Sequence, residues 1–257
     1  MTRHLDFDGI HNFRDFGGYA TTSGRRLKDR KLYRSANHHR ASQADLERLR
    51  ELGLTVIVDL RQPGEREREP SRRWDGFACQ VVDNDLCESH PDFVAQVRTS
   101  DLSPAWFYAH STDFYERAPY EARHVDLFRR YFHALAASDG ALLVHCAAGK
   151  DRTGLICALT HQVAGVHRDD IVQDYLLTND EARMAAKIDF LGPFFDRLVG
   201  RRPSEEALRV AVGVHADYLQ RAFAVIEARD GSLDGYLERT LGLDGPLRER
   251  LRERLLA

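Results

Sequence analysis

The residues with the clearest chemical potential lie in one run, His145-Cys146-Ala147-Ala148-Gly149-Lys150-Asp151-Arg152-Thr153-Gly154. Cys146 and Arg152 stand six positions apart, between an apolar stretch (141–144) and a helix-like stretch (155–159). A strand, a tight loop and a helix N-terminus together form an anion cradle. Unpaired backbone N–H groups converge there, and the helix dipole favours negative charge. A thiol at the bottom of such a cradle, with a guanidinium on its rim, is placed to attack a phosphate held between them.

Each residue type in the run has a reason to be there. A helix N-terminus and a neighbouring guanidinium favour the thiolate of Cys146, the nucleophilic form. Arg152 offers a planar fork that grips two phosphate oxygens, a task a lysine ammonium performs poorly. Gly149 permits a turn that a Cβ would forbid. The backbone of Ala147, Ala148, Gly149, Lys150, Asp151 and Arg152 would line the cradle with N–H groups. The Thr153 hydroxyl would donate to the sulfur, and His145 would brace the loop through backbone contacts instead of acting as a base. Spacing alone discriminates little in an arginine-rich chain. Yet the other cysteines, Cys79, Cys87 and Cys157, have Asp85, Phe93 and Val163 at the same distance. A lone buried cysteine is ordinarily a small core hydrophobe; the surrounding run argues for chemistry here.

A departing alkoxide or phenoxide needs a proton, so a carboxylic acid is expected near Cys146. Asp151 lies inside the loop itself and is the first candidate. Asp59 is the second, because it ends an apolar strand that would emerge on the same sheet edge as Cys146. The competing role for Asp59 is a salt bridge to Arg14 or Arg61. Asp113 and Asp126 have no motif around them. Sulfur transfer, arsenate reduction and silent phosphate binding also use a cysteine loop of this kind, but the five-residue gap and the Arg-Thr-Gly ending fit phosphate-ester cleavage better.

With its His-Cys-x5-Arg-Thr-Gly loop, the chain resembles the cysteine-dependent tyrosine phosphatases. The likeness is to an atypical bacterial branch typified by a secreted mycobacterial enzyme, whose loop reads like Gly149–Gly154. It extends to Asn12–Tyr19, Leu32–Ala36, Val58–Arg61, Asp174–Asn179 and the stretch from Gly231 to Leu243, nearly the whole chain. The resemblance implies metal-free hydrolysis through a cysteinyl-phosphate, with phosphotyrosine, phosphoserine/threonine and phosphoinositides as the substrate range. Other members carry the acid on a mobile Trp-Pro-Asp loop, which this chain lacks. Lys150 is one of only four lysines among 37 basic residues. In related loops a lysine there enlarges the positive field and favours multiply phosphorylated inositol lipids.

The positioning elements follow from periodicity and punctuation. Ser42 and Asp45 open a helix over 44–52 that Gly53 ends. The run 55–59 reads as a buried strand, 62–73 as a charged loop or frayed helix, and 79–82 as a short strand. Helices are expected over 92–98, 106–117 and, with an apolar face of Val125, Phe128, Phe132 and Leu135, over 121–136. A strand at 141–144 precedes the loop, and a helix over 155–164 follows it. Asp169 would cap the next helix, Ser204 and His215 lie near the starts of two more, and 247–256 forms the last. Alternating strands and helices predict an α/β fold, a central, mostly parallel sheet with helices on both faces.

One domain is expected over residues 1–257, with 83–120 as a helical insertion or lid. The aromatic residues Trp106, Phe107, Tyr108, Phe114 and Tyr115 would pack it. Arg14 and Asp15 would pair with each other or brace the loop; Arg34 and Arg61 would support it, and Arg34 could also touch substrate. His38-His39 lacks a carboxylate or thiol at ligand spacing, so no metal or other cofactor is expected.

At 257 residues, 43% hydrophobic and 30% charged, the chain is ordinary for a globular protein. A net charge of −3 gives no argument for nucleic-acid or membrane partners. No 18-residue apolar stretch or signal peptide is visible, and four scattered cysteines suit a reducing cytoplasm. A cytoplasmic location is therefore expected, secretion without a signal stays open, and oligomeric state is not legible.

Overall fold

The computed structural model describes residues 3–88 and 93–257. Five short strands form one sheet: β1 (Arg14–Asp15), β2 (Leu32–Ser35), β3 (Leu54–Asp59), β4 (Gln80–Val82) and β5 (Ala141–His145). Their order is β1-β2-β5-β3-β4, and all neighbours are parallel except the β1–β2 pair at one edge. Ser35 and Asp59 both register against His145, so three parallel strands end at the same level beside Cys146. Ligands in open α/β sheets bind at such carboxyl ends.

Around the sheet lie α1 (Gln43–Glu51), α2 (Pro63–Arg68), α3 (Phe93–Thr99), α4 (Pro104–Arg117), α5 (Ala122–Ala137), α6 (Asp151–Ala164), α7 (Arg168–Leu176), α8 (Glu181–Val199), α9 (Glu205–Val212), α10 (Ala216–Asp230) and a C-terminal helix, Gly245–Leu255. The two-residue period of the strands sorts side chains onto two faces. Val56, Val58, Leu142 and Val144 join the core that includes Leu127 and Phe128 of α5, Leu155 and Ile156 of α6, and Phe223 of α10. Ile57 and Leu143 point the other way, against Leu46 and Leu49 of α1 and Phe13. A third cluster joins α3 and α4 to α8 and α9 through Val97, Phe107, Met184, Ile188, Phe195 and Leu208. This helical cap includes most of the stretch expected as an insertion, together with residues 181–212. No helix among the described residues is long and apolar enough to cross a membrane.

Several elements differ from the pattern-based expectation. Helix α6 begins at Asp151, four residues earlier than periodicity suggested, which puts Asp151, Arg152 and Thr153 in its first turn. The shift has a cause: polar and glycine residues mask a helix start whose apolar face begins only at Leu155. Of the charged stretch 62–73, expected as a loop or frayed helix, Pro63–Arg68 is helical, opened by Pro63 and by a capping box between Gln62 and Glu65. Helix α7 is capped by His167, not Asp169. The sequence pattern assigns no element to 181–199, where the nineteen-residue α8 lies; it runs through Gly192-Pro193, burial against the cap core outweighing the cost of an internal proline. The expected helix start at Asp92 lies outside the described residues.

Leu143 is fully buried in β5, which pairs in parallel with both β2 and β3. Leu143→Ala is expected to cost about 2–5 kcal/mol, read from urea unfolding.

Candidate active site

Cys146 follows β5 directly and is almost fully buried. The loop after it is shaped by where its carbonyls go. The Ala147 carbonyl accepts from Asn37 N–H (3.1 Å) and from the Asn37 side chain (3.3 Å). The Gly149 carbonyl accepts from Asn12 Nδ2 (2.7 Å) and Arg34 Nη2 (2.9 Å), and Arg34 also reaches the Lys150 carbonyl at 3.4 Å. In a trans peptide the C=O and the following N–H point in opposite directions. Drawing these carbonyls outward therefore turns the N–H groups of Ala148, Lys150 and Asp151 into the loop's concavity, at the head of α6. Gly149 has φ +66°, and a Cβ there would stand 2.3 Å from the Ser35 carbonyl oxygen. Only glycine fits.

The groups that pull on the loop are themselves fixed. Arg14 Nη1 donates to Asn12 Oδ1 at 2.6 Å, which commits the Asn12 amide nitrogen to Gly149. Arg14 Nη2 reaches the Asp174 carbonyl and Thr178 Oγ1. Arg34 pairs with Asp174 at 3.5 Å, and all three charged groups are buried. Burial pulls Arg14 down to about 9, with Arg34 adding to it. Burial alone would raise the Asp174 carboxyl, but Arg14, His161 and Arg34 outweigh it and hold it below the ordinary carboxylate value. Asp15 does not pair with Arg14. Its carboxylate accepts from the Gly17 and Arg30 N–H groups instead. Arg34 is fully buried, and its Nη atoms go to the loop carbonyls and Asp174.

Arg152 is held as a fork against a fork, its Nη1 and Nη2 meeting Glu65 Oε2 and Oε1 at 2.5 and 2.8 Å. Nη1 also reaches the Leu60 carbonyl. Burial would raise the Glu65 carboxyl, but the Arg152 ion pair wins and lowers it; the same pair carries Arg152 well above its ordinary value against the pull of burial. Thr153 is fully buried, and its hydroxyl has no hydrogen-bond partner among the described residues.

Asp59 sits at the level of Cys146, but its carboxylate is gripped by Arg61 Nε and Nη2 (2.9 and 2.7 Å) and stands 3.7 Å from His145 Nε2. Burial pushes this carboxyl up, yet His145 and Arg61 together hold it well below the carboxylate range. A group locked ionised in a buried pair has no proton to give, so the salt bridge to Arg61 describes Asp59 better than the acid role. Arg61 is fixed further by the Glu69 carbonyl and Ser71. Burial lowers His145 to about 4, so it stays neutral beside the Cys146 carbonyl. His38 packs on the His145 ring and contacts Ser35 Oγ, while His39 reaches the Pro70 carbonyl.

Asp151, by contrast, lies in the loop with its carboxyl partly exposed. Its Oδ1 accepts from Tyr115 at 3.3 Å, and its Oδ2 stands 3.5 Å from Lys150 Nζ. The Lys150 ammonium does not project freely; it donates to the Ala211 and Gly213 carbonyls (2.7 and 3.2 Å) at the end of α9. Asp113 pairs with Arg117, and Asp126 with Asn84 and Arg130. Sequence reasoning missed Glu65, Asn37 and the role of Asn12. The capping-box spacing from Gln62 to Glu65 was the available signal for the first.

Comparison with known proteins fits this geometry. The family model described as the tyrosine phosphatase family matches residues 5–257. A Cupriavidus necator protein named as a tyrosine-protein phosphatase is 35% identical over 246 residues, covering 94% of this chain and 86% of its own. The triple specificity protein phosphatase PtpB of Mycobacterium tuberculosis is 34% identical, covering 98% of both chains. A solved structure of TpbA from P. aeruginosa aligns over 81% of this chain and 96% of its own at 16% identity. Its TM-score of 0.34 is too low to bear on the fold.

Asp174→Asn leaves two buried arginines short of their counter-charge, and is expected to cost about 3–5 kcal/mol in urea unfolding. Burial also makes stability pH-dependent. A histidine lowered from its ordinary 6.5 to about 4 takes up its proton in the unfolded chain first, so stability falls as pH drops through that interval. Between pH 7 and 5 His145 is expected to remove about 2 kcal/mol, and His145→Asn to flatten that slope in denaturation at the two pH values.

Proposed function

This chain belongs to the tyrosine phosphatase family and hydrolyses phosphoric monoesters; we propose that Cys146 is the nucleophile of that reaction, Arg152 the phosphoryl clamp and Asp151 the general acid and base. The observation that carries this assignment is the direction of the loop backbone. With the Ala147, Gly149 and Lys150 carbonyls bound by Asn37, Asn12 and Arg34, peptide geometry turns the opposing N–H groups away from those partners, which supports a cradle over the Cys146 sulfur. They meet a phosphoryl group whose negative charge spreads over its equatorial oxygens, and the head of α6 adds its dipole.

The Cys146 thiolate attacks phosphorus in line with the ester oxygen. The phosphorus–oxygen bond breaks, and its electron pair leaves on that oxygen, which takes the Asp151 proton. Asp151, now a carboxylate, accepts a proton from the water that attacks the cysteinyl-phosphate; phosphate departs and the thiolate returns. The Thr153 hydroxyl makes no hydrogen bond to the Cys146 sulfur or to any other described group, so the donation proposed for it would form only in that second step. Glu65 keeps the Arg152 plane fixed through Nη1 and Nη2, which leaves the Nε edge of the guanidinium for phosphoryl oxygens.

Its substrates are phosphorylated molecules. We further propose a range wider than phosphotyrosine, extending to phosphoserine/threonine and phosphoinositides. The name of the mycobacterial relative, triple specificity, supports breadth, and Lys150 supports a preference for multiply charged substrates. Its ammonium is bound to the end of α9, so a second phosphate would have to take it from the Ala211 and Gly213 carbonyls.

Cys146→Ser is expected to reduce p-nitrophenyl phosphate turnover by a factor on the order of 10⁴ or more while retaining phosphate binding, measured by kinetics and calorimetry. Vanadate should inhibit the parent enzyme. In a side-by-side panel of phosphopeptides and phosphoinositides, Lys150→Met should slow phosphoinositide turnover by roughly tenfold more than phosphotyrosine turnover. Equal losses on both would remove Lys150 from specificity.

A further inference from the structure

The proposed acid is not alone in its pocket. Tyr115 reaches it from α4, and the Tyr115 hydroxyl in turn accepts from the Tyr175 hydroxyl of α7 at 2.8 Å. Both rings are buried. Tyr115 stacks on Tyr218 of α10 with centroids 5.7 Å apart and planes 21° apart, and Tyr175 meets it edge-on. Gly154 makes this arrangement possible: a Cβ there would stand 2.8 Å from Tyr175 Cε2. The glycine that ends the loop motif thus lets a tyrosine ring lie directly on the first turn of α6.

We propose that Tyr115, backed by Tyr175, is a positioning residue for proton transfer, holding the Asp151 carboxyl in one orientation through its Oδ1; this rests on reading Asp151 as the general acid. A phenol has one hydrogen to give. Tyr175 gives its hydrogen to Tyr115, so the Tyr115 hydrogen is directed at Asp151 Oδ1, and the reacting proton is left to Oδ2. Burial raises both phenols well above their ordinary value, and the facing hydroxyl and Asp151 add to this at Tyr115. Both therefore remain neutral donors throughout the working pH range. The 3.3 Å contact is long for an O–H···O bond, and it has room to shorten when the carboxyl reorients toward a leaving oxygen. Asp151 itself has a single short side chain on a helix's first turn. Without the phenol, its carboxyl would rotate freely between Lys150 and solvent.

Leaving-group dependence separates a positioning role from a packing role. Tyr115→Phe keeps the ring stacked on Tyr218 and removes only the hydroxyl. For phenyl phosphate, whose leaving group needs a proton, kcat is expected to fall roughly tenfold with KM unchanged. For p-nitrophenyl phosphate, whose leaving group does not, the change should stay below about twofold. Tyr175→Phe should show the same pattern at smaller size. In an Asp151→Asn background, Tyr115→Phe should have no further effect on phenyl phosphate. If Asp151→Asn itself slows both esters equally, the acid assignment and this inference fall together. If Asp151→Asn discriminates between the esters but both tyrosine variants do not, or Tyr115→Phe adds its full effect on top of Asp151→Asn, the positioning role alone is overturned.

Discussion

The structure turns on one backbone constraint, the outward capture of the Gly149 carbonyl. Asn12 and Arg34 hold that oxygen from one side, and the Ser35 carbonyl leaves no room for a side chain on the other. Peptide geometry does the rest. Once the carbonyls face out, the N–H groups face in, and a loop of ordinary residues becomes a receptor for a dianion. The nucleophilic role proposed for Cys146 depends on this. Buried at the end of a central strand without the cradle, it would be a small core hydrophobe.

Holding that carbonyl requires buried cations, and each is answered in kind. An isolated buried charge is so unfavourable that it either finds a partner or loses its charge. Arg34 pairs with the Asp174 carboxylate while Arg14 donates to the Asp174 main-chain carbonyl, Arg61 has Asp59, and Arg152 has Glu65. The partners come from distant parts of the chain. Asp174 and Tyr175 are neighbours on α7, one pairing with Arg34 of the loop's support and the other reaching Tyr115 beside Asp151. That helix acts as a second support for the site although none of its residues belongs to the loop. The cap serves the site from the opposite side: α4 brings Tyr115 to Asp151, and the end of α9 holds Lys150. Asp151 and Lys150 are thus both held by helices of the cap.

Two carboxylates near the same sheet edge were candidates for acid chemistry on sequence grounds, Asp151 ahead of Asp59, and their surroundings separate them further. Asp59 and Asp151 differ little in local sequence, each standing beside or near an arginine. In the fold, Asp59 accepts from Arg61 along its whole edge, whereas the adjacent arginine of Asp151 turns away to Glu65. The direction of one guanidinium decides which carboxyl stays available to exchange a proton. A residue's neighbour in the chain is a poor guide to its partner in space, because successive side chains on a helix point about 100° apart.

The chain's own order of residues determined the loop, the strand before it, the alternation that builds a parallel sheet, and the family. These are local properties: a run of ten residues, a two-residue period and a capping serine can be read without knowing what they touch. What the tertiary structure alone decided is how the loop is held and tuned. Glu65 looked like part of a frayed charged stretch, Arg14 seemed as well suited to Asp15 as to any other acid, and Tyr115 was one aromatic among several in an insertion. Each found its partner across 36 or more residues of chain, at Asp151, Asp174 and Arg152. Helix α8 passes through Gly192-Pro193 because burial against the cap outweighs a local preference to stop. Charge pairing and burial act through space at ångström range, and no pattern along the sequence encodes which of many arginines and carboxylates will meet.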